Sequence, residues 1–122
     1  MLGSWITKFR VAFSGLFWAA RDQNSFHFHA AATVLVIGLA AVLGLELWQW
    51  IALVIAIGGV WTAELLNSAI ELIVAVIHPQ HDERIGRALD VAAAAVLMAA
   101  FTAVTIGVLV FGPILYQRLI TV

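Results

Sequence analysis

The stretch Trp61-Thr62-Ala63-Glu64-Leu65-Leu66-Asn67-Ser68-Ala69-Ile70-Glu71-Leu72 sets an amide between two carboxylates inside a long apolar run. On a helix Glu64, Asn67 and Glu71 fall at i, i+3 and i+7 and share one face. The residues before this stretch, from Leu47 to Val60, are apolar or glycine apart from Gln49. A carboxylate inside a membrane helix is costly to bury and marks a functional position by default. One segment thus argues both for a membrane span and for chemistry within it.

Composition extends the membrane reading to the whole chain. Of 122 residues, 64% are hydrophobic and only 11% charged, and the mean hydropathy is +1.07. Soluble domains lie nearer half apolar and a quarter charged. The length fits one domain. A net charge of -1 gives no reason to expect a nucleic-acid partner. The absence of cysteine excludes disulfides and thiolate metal sites. Lys8 and Arg10 precede an apolar stretch, Val11 to Ala20, as in a secretory leader. That stretch carries Ser14 and Gly15 and meets no A-x-A site, so it is expected to be retained.

The expected fold is an all-α membrane protein with an N-terminal amphipathic surface helix and three transmembrane helices. Over residues 5–26, Phe9, Ala12, Phe13, Leu16, Phe17 and Ala20 recur at helical spacing opposite Lys8, Arg10, Ser14 and Arg21. Such a helix lies in the membrane interface rather than crossing it. Apolar runs at 28–45, 47–77 and 91–116 each meet the roughly 20 residues a crossing needs. Trp48 and Trp50 mark one interface, and Pro79 ends the second span because it cannot continue the hydrogen-bond ladder. Lys8, Arg10, Arg21, Arg84 and Arg87 fall on one side of the spans, which places the N-terminus and the 78–90 loop in the cytoplasm. Arg118 alone faces outward.

The polar residues gather at that inner interface: Glu64, Asn67, Glu71, Asp82, Glu83, Arg84, Arg87, Asp90 and the segment from Arg21 to His29. Glu64 lies about 10 Å deeper than Glu71, from seven residues at a rise of about 1.5 Å each. The arrangement suits a highly charged, water-soluble substrate meeting a lipid-soluble one. Hard cations take carboxylate oxygens, and Mg²⁺ arrives with a nucleotide's phosphates on one or two of them. A second carboxylate can take the proton of a hydroxyl. Gly58-Gly59 is too little for a phosphate loop and no Lys follows.

The run Glu64-Leu-Leu-Asn-Ser-Ala-Ile-Glu71, followed after a short polar loop by Arg87-Ala-Leu-Asp-Val-Ala-Ala-Ala-Ala-Val-Leu97, resembles the prokaryotic diacylglycerol kinase and undecaprenol kinase family. With the N-terminal helix, the three spans and Phe26-His-Phe-His29 at the start of the first, the resemblance covers nearly the whole chain. It implies a homotrimer in the bacterial inner membrane that moves the γ-phosphate of MgATP onto a lipid hydroxyl, in sites shared between subunits. By position, Glu64 matches the proposed general base, Asn67 the asparagine beside it and Glu71 a metal-binding glutamate. Gln23 aligns with the second metal-binding glutamate of the family, and Leu89 stands where the family has Lys before Asp90. The nucleotide site is expected to use Arg21, Glu71, Arg87 and Asp90, and the lipid site Glu64, Ala94 and Leu97.

Plainer roles compete for several of these residues. Asn67 alone would serve as an interhelical hydrogen bond. Glu83 and Arg87 read as a solvated i, i+4 pair, and Asp82 as an N-cap or a loop residue. His78 and His81 are too few and poorly spaced for a zinc site. His27 and His29 fit either phosphate or headgroup contact. Ala92 to Ala95 suits close helix approach. Two further functions compete with a kinase. One is a non-catalytic relative, for which Leu89 and Gln23 speak. The other is a proton-coupled transporter, which would need polar residues toward both faces, where the outer half offers only Glu46 and Gln49.

Overall fold

The computed structural model describes residues 2–121. Among them are four helices in order: α1 (Leu2–Asp22), α2 (Asn24–Leu43), α3 (Leu47–Ile77) and α4 (Glu83–Ile120). The last three are long and apolar enough to cross a membrane. Large apolar side chains cover their outer surfaces; Val34, Val42, Val76 and Leu119 are more than two-thirds exposed. In water that surface would drive aggregation; against lipid tails it is the expected solvent face.

Each turn between helices has a local cause. α2 stops at Gly44, whose φ of 69° lies in the left-handed region and lets its N–H bond back to the Ala40 carbonyl at 3.1 Å. Two residues later Glu46 caps α3: its side chain takes the Gln49 backbone N–H, and the Gln49 side chain takes the Glu46 N–H at 2.8 Å. The Trp48 indole N–H donates to Glu46 Oε2 at 2.7 Å. α3 ends before Pro79, at Ile77. Asp82 then caps α4, with Oδ1 accepting from the Arg84 and Ile85 backbone N–H groups at 2.8 and 3.4 Å. The Arg84 backbone N–H, helped by its guanidinium, holds the Asp82 carboxyl below the ordinary carboxylate range.

Three of the four helices differ in their bounds from those the hydropathy suggests, and only 47–77 coincides. The N-terminal helix runs from Leu2 to Asp22 and breaks at Gln23 instead of continuing to 26, and the next helix starts at Asn24. The last helix spans Glu83–Ile120, well beyond the apolar 91–116 segment, because the Asp82 cap starts it before Arg84, Arg87 and Asp90. It also continues through Pro113, which removes one backbone donor from the ladder. Among the described residues Glu83 and Arg87 make no ion pair, while Arg84 lies 3.5 Å from Asp82.

α3 packs along α4, and α2 lies antiparallel to α3. At the end formed by the α2–α3 turn, Ala40, Leu53, Val110 and Phe111 make a buried cluster, flanked by Val36, Leu43, Leu45, Trp50, Ala52 and Ile106. There the Arg118 guanidinium donates to the Leu43 carbonyl at 3.4 Å, meeting a free carbonyl at the α2 C-terminus. The other end carries the polar residues.

Candidate functional site

The C-terminal half of α3 buries three polar residues, Glu64, Asn67 and Ser68. Apolar lining alone cannot satisfy them, so their partners define the site. The carboxylate of Glu64, only 6% exposed, meets α2. The Ser25 hydroxyl donates to Glu64 Oε1 at 2.6 Å, and His29 Nε2 stands 3.5 Å from Oε2. One turn above, the Trp61 indole N–H donates to Thr33 Oγ1 at 3.0 Å. Ser25, His29 and Thr33 are spaced by four, so they form one polar stripe on α2 facing Trp61 and Glu64. Phe26, fully buried, packs on Trp61 with ring centroids 5.3 Å apart.

Asn67 and Glu71 form a second group. Asn67 Nδ2 donates to Glu71 Oε1 at 3.1 Å. Asn67 Oδ1 is buried with no hydrogen-bond partner among the described residues. Asn67 borders a groove between α3 and α4 that Gly59, Ala63, Ala92 and Ala95 also line. These small residues let the helices approach closely. The shared face of Glu64, Asn67 and Glu71 is thus divided: Glu64 turns to α2, while Asn67 and the exposed Glu71 look away from it.

The remaining expected residues separate in the same way. Arg87 and Asp90 share one groove on α4 with His81, Glu83 and Ala94. Ala94 and Leu97 are exposed, and Ala94 lines the groove of Arg87 and Asp90. Arg21 is exposed, sits 3.5 Å from Asp22, and its carbonyl accepts from His27 Nε2 at 2.9 Å. Gln23 occupies the break between α1 and α2; its N–H donates to the Ala19 carbonyl at 3.0 Å and its carbonyl accepts from Phe26 at 3.1 Å. Ser25 was not among the residues singled out from sequence. Its spacing, one turn before His29 at the start of an apolar helix, is the only local trace of it, and its partner lies 39 positions away.

No three His, Asp or Glu side chains converge on a metal position among the described residues. Mg²⁺ does not require such a cage, because it sits on one or two carboxylates and completes its shell with phosphate oxygens and water. Glu71 with the unpaired Asn67 Oδ1 fits that donor set.

Residues 10–111 match the prokaryotic diacylglycerol kinase family. The undecaprenol kinase of Bacillus subtilis is 36% identical over 112 residues, covering 92% of this chain and 91% of that protein. A diacylglycerol kinase of Synechocystis sp. is 36% identical over 103 residues, 84% of this chain and 59% of the longer relative. With three helices long and apolar enough to cross a membrane and a family match over most of its length, the chain belongs to the prokaryotic diacylglycerol kinase family, a family of lipid kinases.

Proposed function

We propose that this chain transfers the γ-phosphate of MgATP to the hydroxyl of a membrane lipid, either diacylglycerol or undecaprenol. The observation that carries the proposal is Glu64: a buried carboxylate within an apolar helix, held from α2 and one helical turn from a second polar pair. As the lipid oxygen bonds to the γ-phosphorus, its proton passes to Glu64. The bond from that phosphorus to the bridging oxygen breaks, and ADP leaves. Such transfer needs placement and charge more than covalent help from the protein.

The other residues divide accordingly. Asn67 orients the phosphate or the hydroxyl. Glu71 with Asn67 Oδ1 would hold Mg²⁺, with Gln23 the further ligand that the resemblance offers, and the metal would supply positive charge against the phosphate oxygens. Arg87, Asp90 and Arg21 take the nucleotide, and Ala94 and Leu97 border the lipid. A single copy leaves Glu71, Ala94 and Leu97 exposed. That openness supports a homotrimer in which neighbouring subunits complete the site. In this reading α1 lies in the interface plane of the inner membrane, with Trp5, Phe9, Phe13 and Phe17 as its exposed apolar stripe. The excess of Lys and Arg puts the N-terminus in the cytoplasm.

Purified protein, given MgATP labelled at the γ-phosphate and either dioleoylglycerol or undecaprenol, tests the proposal, with Glu64→Gln as control. Label entering one lipid, and lost in the control, is the expected result and identifies the acceptor. A folded oligomer that labels neither lipid would favour a non-catalytic relative, to which Leu89 and Gln23 already point.

A further inference from the structure

We propose that Ser25 and His29 are positioning residues for Glu64, a two-point clamp from α2 that sets the plane of its carboxylate; the inference rests on Glu64 being the base. Each carboxylate oxygen has its own contact: Oε1 accepts from Ser25 at 2.6 Å, and Oε2 faces His29 Nε2 at 3.5 Å. Both contacts come from one face of one helix, four residues apart. No hydrogen bond joins Glu64 to Asn67 or Glu71 on its own helix; Asn67 donates to Glu71 instead.

The clamp is itself fixed. Phe26, between its two members and fully buried, packs on Trp61, one turn from Glu64. The Trp61–Thr33 hydrogen bond pins α2 again one turn beyond His29. Thr33 in turn donates to the His29 carbonyl at 2.7 Å. The α2 backbone therefore cannot slide along α3 without breaking several contacts, and Ser25 and His29 stand at set positions beside the carboxylate.

The chemistry requires such an arrangement. A glutamate carboxylate rotates about its terminal bond, and proton transfer from an attacking hydroxyl needs a lone pair aimed along the hydroxyl bond. One contact leaves the carboxylate free to swing; two fix its plane and leave the remaining lone pairs for the incoming hydroxyl. Small misplacements of a reacting group cost large factors in rate. A plainer role is interhelical adhesion, in which the same contacts only hold α2 to α3. Adhesion predicts lower stability with unchanged turnover of the folded protein. Positioning predicts lower turnover with unchanged substrate affinity.

The test uses the full-length protein in lipid vesicles, with MgATP and whichever of dioleoylglycerol or undecaprenol the wild type phosphorylates. Wild type and Glu64→Gln are read first, so a failed base assignment shows there, while a failed clamp shows only in the α2 variants. Ser25→Ala and His29→Ala are expected to lower kcat about tenfold each, with KM for both substrates within about twofold. Ser25→Thr and His29→Gln, which keep a donor, should recover most of the loss. The second readout does not depend on turnover. The carboxylate stretch of Glu64, assigned by infrared difference against Glu64→Gln, should shift in Ser25→Ala and return in Ser25→Thr. Unchanged kcat in both alanine variants, a rise in KM at constant kcat, or an unshifted carboxylate band would each overturn the clamp.

Discussion

The two halves of α3 bury different chemistry. Toward its N-terminus the helix buries Leu53, Ala56 and Val60; toward its C-terminus it buries Glu64, Asn67 and Ser68. The first half joins α2 and α4 in an apolar cluster around Ala40 and Phe111, beside an apolar cavity of about 280 Å³ that Leu53, Ala56 and Val60 help to line. The second half touches α2 through Ser25 and His29 and opens toward α4 along a groove. Lipid tails are as apolar as leucine, so apolar contact between spans gains through shape fit alone. Hydrogen bonds between spans add direction. The bundle is therefore held by apolar contact at one end and by directed polar contacts at the end that carries the proposed site.

The sharpest break of that comparison is Glu64→Gln. It keeps the size of the side chain and removes its basicity, so phosphate transfer should fall about 1,000-fold with helical content by circular dichroism unchanged. Turnover near wild type would remove Glu64 from the reaction. Glu71→Gln should follow with a loss of about 100-fold, the scale of removing one preorganised electrostatic partner. More Mg²⁺ should be needed for half-maximal rate, measured by titrating the metal at fixed ATP. At the other end, Leu53→Ala should do the reverse. It opens a void in the apolar cluster and should lower stability by about 2–3 kcal/mol, measured by denaturation in mixed micelles, while kcat of the folded protein holds. A kinetic loss as large as that of Glu71→Gln would show that the two ends are not separable.

Two smaller tests sharpen the picture at the α4 start. Leu89→Lys returns a cation beside Asp90 and should lower KM for the nucleotide severalfold, on the scale of one charge-assisted contact; an unchanged KM would mean phosphate is held by other groups. Asp82→Ala should loosen only the first turn of α4, seen as faster amide exchange at residues 84–86. The pH dependence of that cap has a definite sign. The folded carboxyl lies below its ordinary value of 3.8. Its contribution is therefore fully present above that value and lost as pH falls through the lower folded one. Exchange at these amides should rise only in strong acid.

Most of the architecture was legible in the sequence because hydropathy and caps are local signals. The three spans follow from apolar length, the cap at Asp82 from its residue type, and the end of α3 from Pro79. The break at Gln23 was not legible, since neither Gly nor Pro marks it; tertiary contacts at Ala19 and Phe26 on either side impose it. α4 outran its apolar segment because the cap at Asp82, not hydrophobicity, sets its start. At the site, helical spacing placed Glu64, Asn67 and Glu71 on one face. It could not say which neighbour each would meet. Ser25 emerges only once α2 is laid against α3, thirty-nine positions away in sequence.

The join between α1 and α2 is a single extended residue, Gln23, between helices of 21 and 20 residues. Successive helical residues turn by about 100°. Adding or deleting one residue there would change the rotational phase of α2 relative to α1, and Ser25 and His29 would leave their facing position unless α1 swung in compensation. The join from 78 to 82 is longer and wholly non-helical, so it can absorb a change in length. Among related sequences, insertions should collect between α3 and α4 and be missing at Gln23.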